Sequence, residues 1–286
     1  RTLPDEVASA MTDADPIRLA FQRLQGAIDT HTPCAPLRDD LLAEDDVASA
    51  YAVQELLIGK RLAEGATVVG RKIGLTSPAV QEWLGVDTPD FGVLLADMGY
   101  AESDVVPMSR LLQPRAEAEI AFVLSADLTE GPLDAAAVRE AVDYAQAAIE
   151  IVDSRVSNWN IKLADTVADN ASSGLFVLGA NRLTLDEFEP VEATMEMTCN
   201  GEVVSTGTGA ACLGDPLNAL AWLAQKAREF GEPLRAGQVI LSGALGPVHP
   251  VPPGAVVTAT ISGLGSVTAT FSGAPSDDGA DSTQEG

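Results

Sequence analysis

Two hydrophobic periods divide the chain. Apolar positions Ile17, Leu19, Ala20, Leu24 and Ile28 recur at helical spacing behind Asp15-Pro16, a capping residue followed by proline at the first helical position. After a loop over 29–38 the same period returns at Val47, Ala50, Tyr51, Gln54, Leu57 and Leu62, with Asp45 or Asp46 as cap and Gly65 as stop. From there the pattern turns to short apolar runs separated by turn residues. It predicts a strand over Ala66–Ile73, a strand-to-helix turn over Gly74–Ser77 with backbone N–H groups free to meet an anion, and a short helix to Leu84. A turn-rich loop over Gly85–Gly92 precedes the apolar residues 93–95. Residues 113–124 read as a strand, Ala135–Ala147 as a helix and Ala147–Val152 as a second apolar strand. Asp153–Gly174 is polar and without a clear period, yet it carries Trp159, Ile161, Leu163 and Val167, which predicts an ordered wall rather than a flexible loop.

Beyond this, strands are expected at Leu175–Leu178 and in a hairpin, Glu192–Cys199 and Glu202–Thr206, about the turn Asn200-Gly201. Asp215-Pro216 opens a helix that closes at Phe230-Gly231, and strands follow at Gln238–Leu241, Ala255–Ile261 and Ser266–Phe271. Helices first, then many strands with scattered helices, predict an α+β fold with an antiparallel or mixed sheet. The expected division is a helical section over 14–66, a main domain over 67–272 and a disordered tail over 273–286. Gly243-x-x-Gly246 and Gly263-x-Gly265 lack G-x-G-x-x-G spacing and a following Lys-Ser or Lys-Thr, so they read as turns and not as nucleotide fingerprints.

Charge narrows the function. With 17 Lys+Arg against 42 Asp+Glu the formal net charge is −25, which repels nucleic acid and anionic membranes. An anionic substrate would therefore need local positive charge, for which Lys72, Arg71, Arg115 and Lys162 are candidates. Cys34, Cys199 and Cys212 are odd in number and lack C-x-x-C spacing, which suggests neither a disulfide framework nor a zinc site. No apolar run approaches the ~20 residues of a membrane helix, and a cytoplasmic location is expected. The two histidines, His31 and His249, read as loop or surface residues.

The chemistry concentrates in Gln113-Pro114-Arg115-Ala116-Glu117-Ala118-Glu119-Ile120. Strand alternation sends Glu117 and Glu119 out of one face, while the continuously apolar residues 120–124 read as buried on both faces. Glu150 stands alone in a second apolar run, where an unpaired buried charge would cost several kcal/mol. Three carboxylates from neighbouring strands form a hard-oxygen set for Mg²⁺ or Mn²⁺. Spacing alone leaves open that they are surface or arginine-paired residues, and that Lys72 is a snorkelling lysine at a strand end.

Five motifs in order settle these alternatives by resemblance. Arg71-Lys72-Ile73-Gly74-Leu75-Thr76, Gly85-Val86-Asp87-Thr88-Pro89-Asp90-Phe91-Gly92, the Gln113–Ile120 run, Asp165-Thr166-Val167-Ala168-Asp169-Asn170-Ala171-Ser172 and Gly243-Ala244-Leu245-Gly246-Pro247 resemble the 2-keto-4-pentenoate hydratases of aromatic meta-cleavage pathways, within the fumarylacetoacetate hydrolase superfamily. The resemblance runs from about Pro16 to Phe271. It implies a mixed β-roll core, a homo-oligomer, Mg²⁺ or Mn²⁺ held by Glu117, Glu119 and Glu150, and Lys72 with Asp90 as acid/base pair. It further implies a substrate site that includes Gly74, Leu75, Thr76, Lys162, Ser172, Ser242 and Gly243, with Gly74–Thr76 and Ser242-Gly243 as donors to the substrate carboxylate. Lys72, beside a metal and in an apolar wall, is expected to have a lowered pKa. The implied substrate is a 2-hydroxy-2,4-dienoate. The sister activity, decarboxylation of 2-oxohex-3-enedioate (4-oxalocrotonate), shares the same chemistry, and a complex with a pathway decarboxylase or aldolase stays open. Hydrolysis of a carbon–carbon bond is disfavoured, because that branch uses a histidine and none lies near these motifs.

Overall fold

The fold is built on one long antiparallel pair, β5 (Arg115–Leu124) and β6 (Val142–Val152), seen in a computed structural model that describes residues 15–274. Around this pair, in chain order, lie β1 (Val68–Gly74), β2 (Asp90–Leu95), β3 (Gly99–Tyr100), β7 (Ser173–Leu178), β10 (Val239–Ala244) and β11 (His249–Pro250). They form an eight-stranded mixed sheet of order β2-β1-β10-β5-β6-β7-β3, with β11 also pairing β5. A second, five-stranded sheet runs β4 (Val105–Val106), β13 (Gly265–Phe271), β12 (Val256–Ile261), β8 (Thr194–Cys199) and β9 (Glu202–Thr208). β12 and β13 pack on β6, so one face of the large sheet, carrying Ala118, Ile120, Phe122, Ile149 and Ile151, is sealed into a continuous core. The opposite face holds the functional groups described below.

Local chemistry accounts for most element ends. α1 (Pro16–Thr30) starts where the Asp15 carboxylate accepts from the Ile17 amide at 2.8 Å, and α2 (Val47–Ala63) where Asp46 accepts from Ser49 N at 3.1 Å. α3 (Pro78–Leu84) is capped by Ser77 and stopped by Gly85 in the left-handed region. Asn200 and Gly201, both at positive φ, make the tight turn between β8 and β9. α6 (Pro216–Glu229) begins at Asp215-Pro216 as its cap predicts.

Two sequence expectations are corrected and a third is extended. The helix expected over Ala135–Ala147 ends at Glu140 (α4, Ala135–Glu140), and residues 142–147 belong to β6. Their alanines favour helix locally, but β5 offers a full ladder, with Val123 opposite Tyr144 and Phe122 opposite Ala145, and tertiary pairing prevails. The loop expected over Gly85–Gly92 gives its last three residues to β2, so Asp90 is held by sheet hydrogen bonds. The wall over 153–174 is ordered, and it contains a helix, α5 (Leu163–Ala168). Buried Asp165 organises that helix, accepting from Leu37 N at 2.7 Å and Lys162 N at 2.9 Å and pairing with Arg38. Residues 273 and 274 are described, and the rest of the tail expected to be disordered lies outside the described residues.

The helical section is tied to the sheet. Gln54, buried on α2, donates to Phe91 O at 3.0 Å and to Val167 O at 2.9 Å, linking α2 to β2 and α5.

Candidate active site

Glu117 and Glu119 leave the same face of β5, and the register places Glu150 of β6 directly opposite Glu117. One oxygen from each of the three carboxylates lies within 4.8 Å of the other two. Glu119 and Glu150 are 0% and 1% exposed, and Glu117 is half-buried. Glu119 accepts one hydrogen bond, from Gly243 N at 3.0 Å, and its other oxygen has no partner among the described residues. Glu150 has an ion pair with Lys72, Nζ to Oε1 3.1 Å, and an unpartnered Oε2. Burial, reinforced by repulsion from Glu150, pushes Glu117 up to about 7 and Glu119 well above the ordinary carboxylate range. Three converging carboxylates, two of them buried with orphaned oxygens, fit a hard divalent cation, which would relieve both the repulsion and the unmet hydrogen-bonding capacity.

Lys72, on β1, reaches the same face. It is 3% exposed, and besides Glu150 it donates to Ala171 O at 2.8 Å. Burial pulls its pKa down, but Glu150, Asp90, Glu117 and Glu119 outweigh burial and hold it above the ordinary lysine value. The surroundings of the ammonium are four carboxylates, whereas the lowered pKa is expected of a lysine beside a bound divalent ion as well as an apolar wall.

Asp90 lies opposite Gly74 in the β1–β2 register, 1% exposed, with neither oxygen hydrogen-bonded among the described residues. Burial raises it to about 6, against the pull of Lys72. A Cβ on Gly74 would sit 2.3 Å from Asp90 Oδ1 and 3.5 Å from Lys72 Nζ, so only glycine leaves the two groups facing each other.

The Ala171 carbonyl that holds Lys72 is presented by a turn the sequence does not announce. Asn170, Ala171 and Ser172 are all left-handed, at φ 53°, 52° and 53°, a conformation that costs L-residues roughly 1–2 kcal/mol each. The turn is locked from three sides. The Asn170 side chain accepts from Val93 N at 2.7 Å and donates to Val93 O at 2.9 Å, pairing with edge strand β2 as a strand would. Ser172 Oγ lies 3.0 Å from Thr166 Oγ1, and Ser173 Oγ donates to Asn170 O at 2.7 Å. Gly92 has room for none of this with a side chain, because its Cβ would lie 2.4 Å from Asn170 O. Asn170 and Thr166 lie within the Asp165–Ser172 motif, and the one sequence signal for their part in this turn is the tolerance of Asn for left-handed backbone.

Of the other expected site residues, Thr76 is 3% exposed and packs where a Cβ on Gly243 would meet its Oγ1 at 2.4 Å. Leu75, at φ 58°, offers its carbonyl to Gln81 Nε2 at 2.8 Å. Ser242 and Gly243, expected as donors to substrate, are committed inside the protein: Ser242 Oγ donates to Ile120 O at 2.7 Å and Gly243 N to Glu119. Lys162, expected to line the substrate site, pairs with Glu44 at 3.6 Å beside the helical section. His249 pairs with Ala116, whose side chain leaves the face opposite to Glu117. A cavity of about 570 Å³ lined by Val123, Tyr144, Gln146, Phe176 and Arg182 lies farther along the sheet and contains none of the carboxylates.

The family model for the fumarylacetoacetate (FAA) hydrolase C-terminal matches residues 70–272. The chain is 50% identical over 262 residues to a 2-keto-4-pentenoate hydratase of Paraburkholderia phymatum, covering 92% of this chain and 100% of that one. The chain belongs to the 2-keto-4-pentenoate hydratase branch of the fumarylacetoacetate hydrolase family. Within that hydratase branch, a 2-hydroxyhexa-2,4-dienoate hydratase of Comamonas testosteroni is 40% identical over 91% of this chain and 99% of its own. A solved 4-oxalocrotonate decarboxylase from Pseudomonas putida G7, complexed with magnesium and adipate, is 35% identical with a TM-score of 0.85, covering 92% of this chain and 99% of that chain. The hydratase fold therefore has the mixed α+β architecture expected from the sequence, and its carboxylate cluster falls inside the residues that the family model matches.

Proposed function

We propose that this chain is a divalent-metal-dependent hydro-lyase that converts 2-hydroxypenta-2,4-dienoate, the enol of 2-oxopent-4-enoate, to 4-hydroxy-2-oxopentanoate in the meta-cleavage breakdown of aromatic compounds. The observation that carries this reading is the set Lys72, Asp90, Glu117, Glu119 and Glu150 on one sheet face, all but the half-buried Glu117 buried, in a chain half identical to proteins named for that reaction. Glu117, Glu119 and Glu150 would hold Mg²⁺ or Mn²⁺, consistent with the magnesium and the calcium in the solved decarboxylase relative. When bound, the ion supplies Lewis acidity that stabilises negative charge on the substrate's 2-oxygen.

The protein groups divide the proton work. The dienol loses its 2-hydroxyl proton and gains one at C5, giving 2-oxopent-3-enoate, and water then adds its oxygen at C4 and a proton at C3. Asp90, with two unpartnered oxygens and a pKa near 6, is suited to take a proton, and Lys72, held by Glu150 and the Ala171 carbonyl, to give one. Ser172 orders the turn that presents Ala171. Gly74 keeps the space between the two groups open.

Decarboxylation of 4-oxalocrotonate is the second reading, favoured by the likeness to the solved decarboxylase over 92% of the chain. Turnover of the dienoate with and without EDTA, followed by loss of dienol absorbance and by release of CO₂, tests both. Ion-dependent loss of absorbance without CO₂ is expected from the dienoate. Faster release of CO₂ from 4-oxalocrotonate would transfer the assignment. The chain is further taken to work as a homo-oligomer, which a sedimentation mass above 29.6 kDa would support.

A further inference from the structure

Arg115 begins β5 on the face that carries Glu117 and Glu119, at the half-buried end of the carboxylate cluster. Its guanidinium carbon lies 4.6 Å from the centroid of the Trp159 ring. Several other arginines of this acid-rich chain are taken up by carboxylates: Arg38 by Asp165, Arg71 by Glu232, Arg139 by Glu189, Arg155 by Asp169 and Arg235 by Asp127. Arg115, among the described residues, has neither an ion pair nor a side-chain hydrogen bond, although Glu117 is two positions away on the same face. Its five N–H donors are uncommitted among the described residues.

The ring that holds it is itself held. Asn158 and Trp159 are both left-handed, at φ 58° and 53°. Trp159 Nε1 donates to Gln113 O at 2.9 Å, while the Gln113 side chain accepts from Asn158 N at 2.8 Å and donates to Ser154 O and Val156 O at 2.8 and 2.9 Å. Two strained residues and four hydrogen bonds thus fix an indole plane beneath a free guanidinium at the open side of the site. Lys72, the other cation on this face, is already engaged by Glu150 and Ala171. A small anion approaching a molecule of net charge −25 meets net repulsion, which a local cation must offset.

We infer that Arg115, aligned by Trp159, is the receptor for the carboxylate of a 2-oxo or 2-hydroxy monocarboxylic acid, drawing it to the mouth of the Glu117–Glu119–Glu150 cluster and fixing its orientation there. A planar guanidinium accepts such a group in a two-point fork, which a lysine cannot reproduce. The inference rests on the dienoate reading for its substrate, though not for its anion site.

The test compares the metal-loaded wild-type protein with Arg115→Gln and Arg115→Lys. KM for the dienoate and the inhibition constant of 2-oxopentanoate are expected to rise about tenfold to a hundredfold in R115Q and less in R115K, with kcat within about threefold. The neutral 2-oxopentanamide should bind all three proteins alike, and Mg²⁺ affinity measured by calorimetry should change by less than about threefold. Unchanged KM and unchanged 2-oxopentanoate inhibition in R115Q overturn the inference, as does a loss confined to Mg²⁺ affinity. If R115Q does not fold, R115K with wild-type affinity for 2-oxopentanoate overturns it equally. A wild-type protein that leaves the dienoate unchanged, yet binds 2-oxopentanoate through Arg115, supports the receptor and removes the hydratase reading.

Discussion

Gly74 shows how much one missing methyl group decides. Its place on β1 opposite Asp90 is occupied by the Asp90 carboxylate on one side and the Lys72 ammonium on the other. Gly74→Ala is expected to displace Asp90 and reduce kcat by about two orders of magnitude or more, while the protein still binds Mg²⁺ in calorimetry. Lys72→Met removes the one ammonium paired with Glu150, and kcat should fall about 10²–10⁴-fold, the usual contribution of a proton-transfer group. A K72M enzyme with near wild-type kcat would remove Lys72 from the mechanism. Glu117→Gln should abolish divalent-ion binding and turnover together, and ion-dependent turnover in that variant would refute the metal assignment. At this scale the sequence was informative: alternation put Glu117 and Glu119 on one face, and motif resemblance supplied Lys72 and Asp90. It was silent on hydrogen-bond commitments, which is why Ser242 and Gly243 read as free donors when Ile120 O and Glu119 already use them.

Among the elements, the β5–β6 register matters most. With a side-chain period of two, a one-residue slip would send Glu150 into the apolar core and Ile149 or Ile151 into its place. Register is a tertiary property, and the sequence named both strands without aligning them. The same holds for residues 142–147, whose alanines read as helix until β5 is there to pair with them. The turn over 170–172 is a further case, being stable only because β2, Thr166 and Ser173 satisfy its polar groups. Gln54 joins three elements through two buried carbonyls, so Gln54→Leu should destabilise the fold by about 2–6 kcal/mol, at about 1–3 kcal/mol for each carbonyl left unpaired. Chemical denaturation measures this, and a loss below about 1 kcal/mol would show that the helical section is held by apolar packing instead.

The whole molecule carries a strain of charge that pH should expose. Burial raises Glu117 to about 7 and Asp90 to about 6, whereas both titrate near about 4 in an unfolded chain. Between those values the folded state keeps protons that the unfolded state has lost, so the stability of metal-free protein should fall as pH rises from about 4.5 to about 7. Asp169, raised to about 6 by burial despite Arg155, adds the same sign. Carboxylates held low, such as Asp46 and Asp127, act below this window. Thermal unfolding in EDTA should therefore show a falling Tm over that range, shallower in E117Q, and Mg²⁺ should raise Tm most at and above neutral pH. A Tm in EDTA that climbs from pH 5 to 7.5 would contradict the buried-carboxylate account.

The sequence by itself determined the kinds of element, most of their caps and turns, and the inventory of reactive groups, because these depend on neighbours within a few residues. No helix among the described residues is long and apolar enough to cross a membrane, as hydropathy along the chain foretold. Only the tertiary structure decided which groups meet. Strand pairing set Glu150 opposite Glu117, β1 brought Lys72 across to it, and a left-handed turn between α5 and β7 closed over the lysine. Contacts between residues some thirty to a hundred positions apart are fixed by which surfaces pack together, and no local pattern encodes that distance.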